Sequence, residues 1–190
     1  MNILWDFDGT LFDTYPAYTK VFSAVLGDKA DPTEIYNKLK VSSAHAMEYF
    51  HLTDDQIKEI DRLEDNISPK DMIPFEHVED ILKFANKNVI MTHKSRAGVL
   101  AILQHYGWEK YFIDMVTYDD GFPRKPDPAS YHYLHTKHKI DLVIGDRELD
   151  IIPGKALGIS TCLYRNPSNI ADYHLQDYAD FFKIFNINGA

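Results

Sequence analysis

The chain has 190 residues, is 45% hydrophobic and carries a formal net charge of −9 at pH 7. This length and hydrophobic content predict one compact core, with room for a small additional domain. The acidic balance argues against non-specific binding to nucleic acids or anionic membranes, both of which require a basic surface.

The apolar run at residues 3–5 (ILW) predicts a short buried strand, and the acidic pentad at residues 6–10 (DFDGT) follows it directly. Carboxylates at the end of a buried strand are unfavourable unless a metal, hydrogen bonds or chemistry uses them. Gly9 lets the backbone approach a small ligand closely, and Thr10 adds a hydroxyl. The pentad therefore favours a site for Mg²⁺ and a phosphate group. A solvated turn is the simpler alternative, because Asp and Gly are common in turns.

Residues 15–72 predict an all-helical block inserted after the first strand. Four helix starts are indicated by capping residues or early prolines near Thr14, Asp31, Ser42 and Thr53. Apolar residues follow each start at helical spacing, and no segment of the block has the pattern of a strand.

From Ile73 the pattern alternates between helix and strand. The predicted strands are 89–91, 112–116, 142–144 and 161–164, with a small last strand at Phe181-Phe182; the predicted helices lie around 78–85, 99–103, 129–134 and 150–157. This alternation predicts right-handed crossovers and a parallel sheet. Because ligands collect beyond the carboxyl ends of such strands, Asp6, Thr92 and Asp146 are expected to converge there.

Four segments in this order resemble the haloacid dehalogenase-like superfamily of phosphohydrolases. They are the pentad 6–10, the strand-end Thr92, Lys125 within RKPDP at 124–128, and GDRELD at 145–150. The resemblance covers nearly the whole chain, and within the superfamily it points to the phosphoglycolate phosphatase-like and β-phosphoglucomutase-like branch. It implies an α/β fold with a Rossmann-like parallel sheet flanked by helices and an inserted all-helical cap. The core would comprise residues 1–14 and 73–190, and the cap residues 15–72.

The resemblance also implies chemical roles. Asp6 would be the nucleophile that forms an aspartyl-phosphate, and Asp8 the general acid and then the base that activates water. Mg²⁺ would be held by Asp6, the backbone carbonyl of Asp8, and Asp146. Asp150 would support the metal directly or through water. An equal alternative for Asp150 is a helix N-terminal acid that complements the helix dipole.

Phosphate binding is implied for a further set of groups. Thr92 would bind a phosphate oxygen, Lys125 would neutralise the nucleophile and the phosphate, and the backbone after Asp6 would donate amides. The alternatives are an N-cap for Thr92, an exposed loop cation for Lys125, and a packing or surface role for His93. The residues that this assigns to phosphate binding are Phe7, Gly9, Thr10, Thr92, His93 and Lys125.

The leading hypothesis is a Mg²⁺-dependent phosphatase that hydrolyses a small phosphate monoester such as phosphoglycolate. A β-phosphoglucomutase-like phosphomutase is the alternative, since it would use the same core residues. It ranks lower because the predicted cap has no recognised basic motif for a second phosphate. A non-catalytic protein that binds a phosphate ligand ranks last, because every catalytic group expected from the resemblance is present.

The expected partner is a small phosphorylated metabolite, with no nucleic acid and no membrane, for a chain that is a monomer or a weak homodimer. The single cysteine, Cys162, cannot form an internal disulfide and favours a reducing, cytoplasmic setting. The start of the chain lacks the pattern of a signal peptide.

Overall fold

A computed structural model of the chain describes residues 1–187, and its centre is a six-stranded parallel sheet. The strands are β1 Asn2–Trp5, β2 Phe12–Asp13, β3 Ile73–Pro74, β4 Lys87–Met91, β5 Phe112–Val116, β6 Leu142–Gly145, β7 Ser160–Tyr164 and β8 Tyr173–Leu175. The large sheet has the order β5-β4-β1-β6-β7-β8, and β2 pairs with β3 in a separate two-stranded sheet.

Nine α-helices occur among the described residues. They are α1 Tyr15–Leu26, α2 Pro32–Val41, α3 Ser43–Tyr49, α4 Asp54–Asp65, α5 Val78–Phe84, α6 Arg96–Tyr106, α7 Ala129–His138, α8 Glu148–Ala156 and α9 Phe181–Ile184. Helices alternate with the strands of the large sheet, so the predicted α/β fold with a Rossmann-like parallel sheet is confirmed. In residues 1–187, no helix is both long enough and apolar enough to cross a membrane.

Strand β1 lies at the centre of the sheet between β4 and β6. Its side chains at Ile3, Leu4 and Trp5 are fully buried, as expected for a short apolar run covered on both faces. Trp5 is in register with Ile90 of β4 and Ile144 of β6, so the three strands end at the same edge. This register places the residues that follow each strand beside one another.

The chain divides into two compact units, one comprising residues 1–12 with the chain from Pro74 onward, and the other residues 13–73. The second unit contains helices α1–α4, and its predicted helix starts are present. Asp31 accepts hydrogen bonds from the amides of Thr33 and Glu34, and Thr53 forms a capping box with Gln56. These caps satisfy backbone amides that a helix start leaves without partners.

The predicted last strand at Phe181-Phe182 is wrong, because these residues begin helix α9. Helical spacing places Phe181 and Phe185 on one face, with ring centroids 4.7 Å apart, while Phe182 packs against Phe84. The last strand of the sheet is instead β8, which pairs with β7 from Cys162↔Tyr173 onward.

Candidate active site

The loop after β1 turns back on itself within a few residues. The Phe7 carbonyl accepts hydrogen bonds from the amides of Leu11 and Phe12, at 3.0 and 3.2 Å. Gly9 adopts φ = 80°, a conformation that side-chain-bearing residues rarely take. The Phe7 side chain is fully buried against Phe12, with ring centroids 4.9 Å apart. This anchoring holds Asp6 at the carboxyl edge of the sheet.

Three buried carboxylates meet at this edge. Asp6 follows β1, Asp146 follows β6, and Asp150 lies in the first turn of α8. Each offers one oxygen, and these oxygens all lie within 4.8 Å of one another. The Thr10 hydroxyl lies 3.3 Å from an Asp6 oxygen and 3.5 Å from an Asp146 oxygen. The sequence-based expectation that Asp6 and Asp146 converge is therefore confirmed.

Lys125 places a buried ammonium group in this cluster. Its Nζ donates to Oδ1 of Asp6 at 2.6 Å and to Oδ1 of Asp150 at 2.8 Å. The Lys125 side chain is 1% exposed, which excludes the alternative of an exposed loop cation. Buried ion pairs of this kind exist where hydrogen bonds hold both partners, as they do here.

The surroundings shift the pKa values of the Asp6 and Asp150 carboxyls in opposite directions. Burial, and then the charge of Asp150, raise the pKa of Asp6 to about 7, against the opposing effect of Lys125. Burial also raises the pKa of Asp150, but Lys125 and Arg147 outweigh it and hold that pKa below its usual range. Burial lowers the pKa of Lys125, and the charges of Asp150 and Asp6 more than reverse this, so the lysine stays protonated. The negative charge at Asp6 is thus incompletely compensated by the protein.

The three carboxylates fit a divalent cation such as Mg²⁺. All the converging donors are oxygens, which Mg²⁺ prefers, and Asp6 has a raised pKa that a nearby dication would lower. Asp150 already uses both oxygens within the protein, one with Lys125 and the other with the Arg147 amide at 3.1 Å. This engagement favours support of the metal through water or through neighbours over direct coordination by Asp150.

Gly145 makes room for Asp150. A Cβ built on Gly145 would lie 2.3 Å from the Asp150 Cβ, a separation that side chains do not tolerate.

Arg147 also lies beside the buried acids, with its Nε 3.5 Å from Asp150 and 3.8 Å from Asp146. The capping interaction of Asp150 with the Arg147 amide makes it a helix N-terminal acid, so that alternative is confirmed, while a role of Asp150 in supporting a metal stays a prediction.

The remaining predicted residues lie on neighbouring loops. Thr92 is buried, and its hydroxyl accepts a hydrogen bond from the Lys94 amide at 3.1 Å. The alternative role of Thr92 as an N-cap is excluded, since Ser95 caps α6 by accepting from the Gly98 amide. Asp8 is partly exposed, and its backbone forms an isolated β-bridge with Phe12.

His93 makes its own contact with the cluster. Its Nε2 accepts a hydrogen bond from the Lys125 backbone amide at 3.1 Å. Burial, and then the charges of Lys125, Arg124 and Arg147, lower the pKa of His93 to about 4. The imidazole is therefore neutral at pH 7, as an accepting nitrogen requires.

Residues 3–164 match the model of one protein family, described as haloacid dehalogenase-like hydrolase. The chain belongs to this family. The predicted membership in the haloacid dehalogenase-like superfamily is thereby confirmed, and the β1, β4 and β6 strand ends described above lie within the matched region.

Similar haloacid dehalogenase-like proteins carry phosphatase names. The chain is 29% identical to the pyrophosphatase PpaX of Oceanobacillus iheyensis, over 84% of this chain and 81% of that protein. It is also 29% identical to a phosphoglycolate phosphatase of Photobacterium profundum, over 84% and 80% of the two chains. A solved hydrolase structure from Streptococcus pneumoniae TIGR4 has 31% identity and a TM-score of 0.69, with 98% of both chains covered. The predicted phosphoric monoester hydrolase agrees with these names.

Two supporting residues of this haloacid dehalogenase-like site were not predicted from the sequence. The Asn166 side-chain amide donates to the Asp146 backbone carbonyl at 2.8 Å. The buried Tyr178 hydroxyl donates to the Thr10 backbone carbonyl at 2.9 Å. Both contacts join segments distant along the chain, and no local pattern around Asn166 or Tyr178 indicates them.

The Tyr178→Phe variant is expected to lose about 1–2 kcal/mol of unfolding free energy, because the buried Thr10 carbonyl is left without this donor. The stacked Tyr164–Tyr178 ring pair, 4.1 Å apart, would keep its shape. Urea unfolding monitored by circular dichroism measures the loss. Tyr118→Phe, at a side chain 64% exposed, is the matched control and should change stability by less than about 0.5 kcal/mol. Equal effects of the two variants would contradict a structural role for the Tyr178 hydroxyl.

Proposed function

We propose that this protein is a Mg²⁺-dependent phosphatase that hydrolyses a small phosphate monoester through an aspartyl-phosphate on Asp6. The observation that carries the proposal is the convergence of Asp6, Asp146 and Asp150 at the end of a buried strand, with the Lys125 ammonium bound to Asp6 and Asp150. A buried carboxylate beside a fixed cation is the arrangement that phosphoryl transfer to a protein nucleophile requires.

The roles proposed for these groups are those that the haloacid dehalogenase-like family implies. The Asp6 carboxylate attacks phosphorus, and the bond to the leaving oxygen breaks while Asp8 gives that oxygen its proton. Asp8 then takes a proton from water, the water oxygen attacks the aspartyl-phosphate, and phosphate leaves with Asp6 restored. Lys125 stays protonated throughout and offsets the charge on Asp6 and the transferring group.

Asp6, Asp146 and the Asp8 carbonyl are the groups proposed to hold Mg²⁺, with Asp150 supporting them. The cation supplies positive charge that stabilises the ionised Asp6 and the phosphoryl oxygens. Thr92, and the backbone at Phe7, Gly9 and Thr10, are proposed to bind the phosphate group.

The proposed substrate is a small phosphorylated metabolite of the phosphoglycolate kind, met in the cytoplasm. The support is the similarity to the phosphoglycolate phosphatase of Photobacterium profundum. The similarity to the pyrophosphatase PpaX makes pyrophosphate the comparison substrate. The helical unit of residues 13–73 is proposed to act as the cap that selects among such substrates.

A panel assay tests the function. Phosphate release is measured from phosphoglycolate, pyrophosphate, a nucleoside monophosphate and a hexose 1-phosphate, first with Mg²⁺ and then with EDTA. Release is expected with Mg²⁺ only, by at least about 10³-fold over the EDTA sample, since the cation stabilises the charge that develops in transfer. Conversion of the hexose 1-phosphate to a 6-phosphate would instead indicate a mutase. A folded protein that binds Mg²⁺ and releases phosphate from none of these compounds would contradict the proposal.

A further inference from the structure

Lys125 is a buried residue flanked on both sides by exposed ones. Its neighbours Arg124, Pro126 and Asp127 are all exposed, and no helix or strand includes the segment between Asp120 and Ala129. Phe122 packs against the hydrophobic core, with its ring centroid 5.4 Å from that of Tyr133, so packing anchors the start of the segment, whereas the residues flanking Lys125 are exposed. The chain still delivers the Lys125 Nζ to Asp6 and Asp150 at 2.6 and 2.8 Å, so its backbone needs an anchor.

His93 supplies that anchor from a different loop, the one that follows β4. Its Nε2 accepts the Lys125 amide at 3.1 Å, across 32 residues of sequence. Within the 121–128 segment, the Asp127 amide donates a hydrogen bond to the Arg124 carbonyl at 3.0 Å. This bond closes a turn around Lys125 but does not connect it to the sheet. The His93 contact ties the loop to the carboxyl edge of β4.

We propose that His93 is a positioning residue, whose Nε2 holds the Lys125 backbone so that the ammonium reaches Asp6 and Asp150. The proposal rests on the proposed phosphatase function and assigns His93 a role apart from phosphate binding. Its imidazole acts through Lys125, and it is the accepting Nε2 that matters. A cation displaced by about 1 Å from a reacting group lowers turnover by about 10²-fold, so a loose Lys125 loop has a large kinetic effect.

Two substitutions of His93 distinguish the Nε2 contact from any contact made by Nδ1. The Gln side chain places its oxygen where Nε2 lies, so His93→Gln keeps an acceptor for the Lys125 amide. The Asn side chain is one carbon shorter and places its polar atoms near Nδ1, so His93→Asn loses the acceptor but keeps a polar group in the pocket. A positioning role predicts that Gln rescues turnover and Asn does not, whereas phosphate binding through Nδ1 predicts the reverse.

The kinetic arm measures phosphate release with Mg²⁺ and the best ester from the panel. His93→Asn is expected to lower kcat by about 10- to 100-fold with KM within about threefold, since the substrate still binds but the cation is misplaced. His93→Gln is expected to stay within about fivefold of the wild-type kcat. A rise in KM with unchanged kcat in His93→Asn, or a failure of Gln to outperform Asn, would overturn the proposal.

The second arm requires no activity and uses the metal-free protein. Nitrogen-15 NMR of the histidine side chains at pH 7 is expected to give His93 a proton-free Nε2. Hydrogen exchange at the Lys125 amide is expected to quicken at least about tenfold in His93→Asn and much less in His93→Gln, because the amide loses its acceptor. A protonated Nε2, or equal exchange at the Lys125 amide in all three proteins, would overturn the positioning role. If the wild type releases no phosphate from the panel, the proposed function fails, while this arm still decides the contact.

Discussion

Replacing Asp6 with Asn is expected to lower phosphate release by at least about 10³-fold while leaving the fold intact. The amide keeps the shape of the side chain but cannot attack phosphorus, so the aspartyl-phosphate cannot form. The measurement is phosphate release with Mg²⁺ and the best ester, with Asp61→Asn on the exposed face of α4 as the control. Activity within tenfold of the wild type in Asp6→Asn would rule out Asp6 as the nucleophile.

The same variant is expected to be more stable than the wild type when metal is absent. In the folded protein the pKa of Asp6 is raised to about 7, against 3.8 for an ordinary Asp. Below about pH 4 the Asp6 carboxyl is protonated in both the folded and the unfolded protein, and its favourable contribution to the free energy of unfolding is fully present. As the pH rises from about 4 to about 7, the unfolded chain ionises first, so this contribution is lost.

Asn removes the ionisation altogether, so the difference between the two proteins depends on pH. At pH 4 in EDTA, Asp6→Asn and the wild type are expected to unfold at similar urea concentrations. At pH 8 the variant is expected to be more stable by on the order of 2 kcal/mol, because it lacks a buried carboxylate that also faces the charge of Asp150. A stability difference that is the same at both pH values would show that Asp6 does not carry this charge. Added Mg²⁺ should stabilise the wild type at pH 8 and stabilise the variant less.

The sheet and the convergence of its strand ends could be predicted because the relevant pattern is local. The apolar runs at 3–5, 89–91 and 142–144 mark buried strands, and parallel pairing brings their carboxyl ends together regardless of the distance along the chain. Asp6 and Asp146 needed only this rule. The helix starts at Asp31 and Thr53 were equally local, since a cap and its amide partners lie within three residues.

The errors arose where tertiary contacts decide the outcome. Phe181-Phe182 has strand propensity, but ring packing among Phe181, Phe182, Phe185 and Phe84 favours a helix. No apolar run in the sequence indicates strand β8. This segment is a strand because it pairs with β7.

The backbone anchors of the site were beyond sequence patterns for the same reason. Tyr178 reaches Thr10 across 168 residues, Asn166 reaches Asp146 across 20, and His93 reaches Lys125 across 32. Each contact joins a side chain to a backbone atom, and any residue type offers that backbone atom. Residue types in sequence therefore indicate the candidate catalytic groups but not the side chains that hold their backbone in place.

Replacing Lys125 with Met is expected to abolish phosphate release and to destabilise the metal-free protein by about 3–5 kcal/mol at pH 8. The variant keeps an unbranched apolar side chain of similar length but removes the charge that two buried carboxylates share. Removing one partner of a buried ion pair leaves its counterpart uncompensated, which is why the expected loss is a large part of a domain's stability. Urea unfolding at pH 8 in EDTA measures it. Lys83→Met, which disrupts only an exposed pair with Glu79, is the control and should change stability by less than about 0.5 kcal/mol.

The double variant Asp6→Asn with Lys125→Met identifies the origin of that loss. If the loss comes from uncompensated charge, Lys125→Met leaves two buried carboxylates without their ammonium partner. In the Asp6→Asn background only the Asp150 carboxylate still lacks that partner, so the repulsion is smaller. The Lys125→Met penalty is then expected to shrink by at least about 1 kcal/mol in the Asp6→Asn background, as a coupling energy between residues in contact. Acidification should have a parallel effect, since protonation of Asp6 removes the same charge, and the penalty at pH 5 should be smaller than at pH 8. A penalty that is unchanged by both treatments would mean that Lys125 stabilises the protein through the packing of its side chain, and that the ammonium is not what holds the buried carboxylates together.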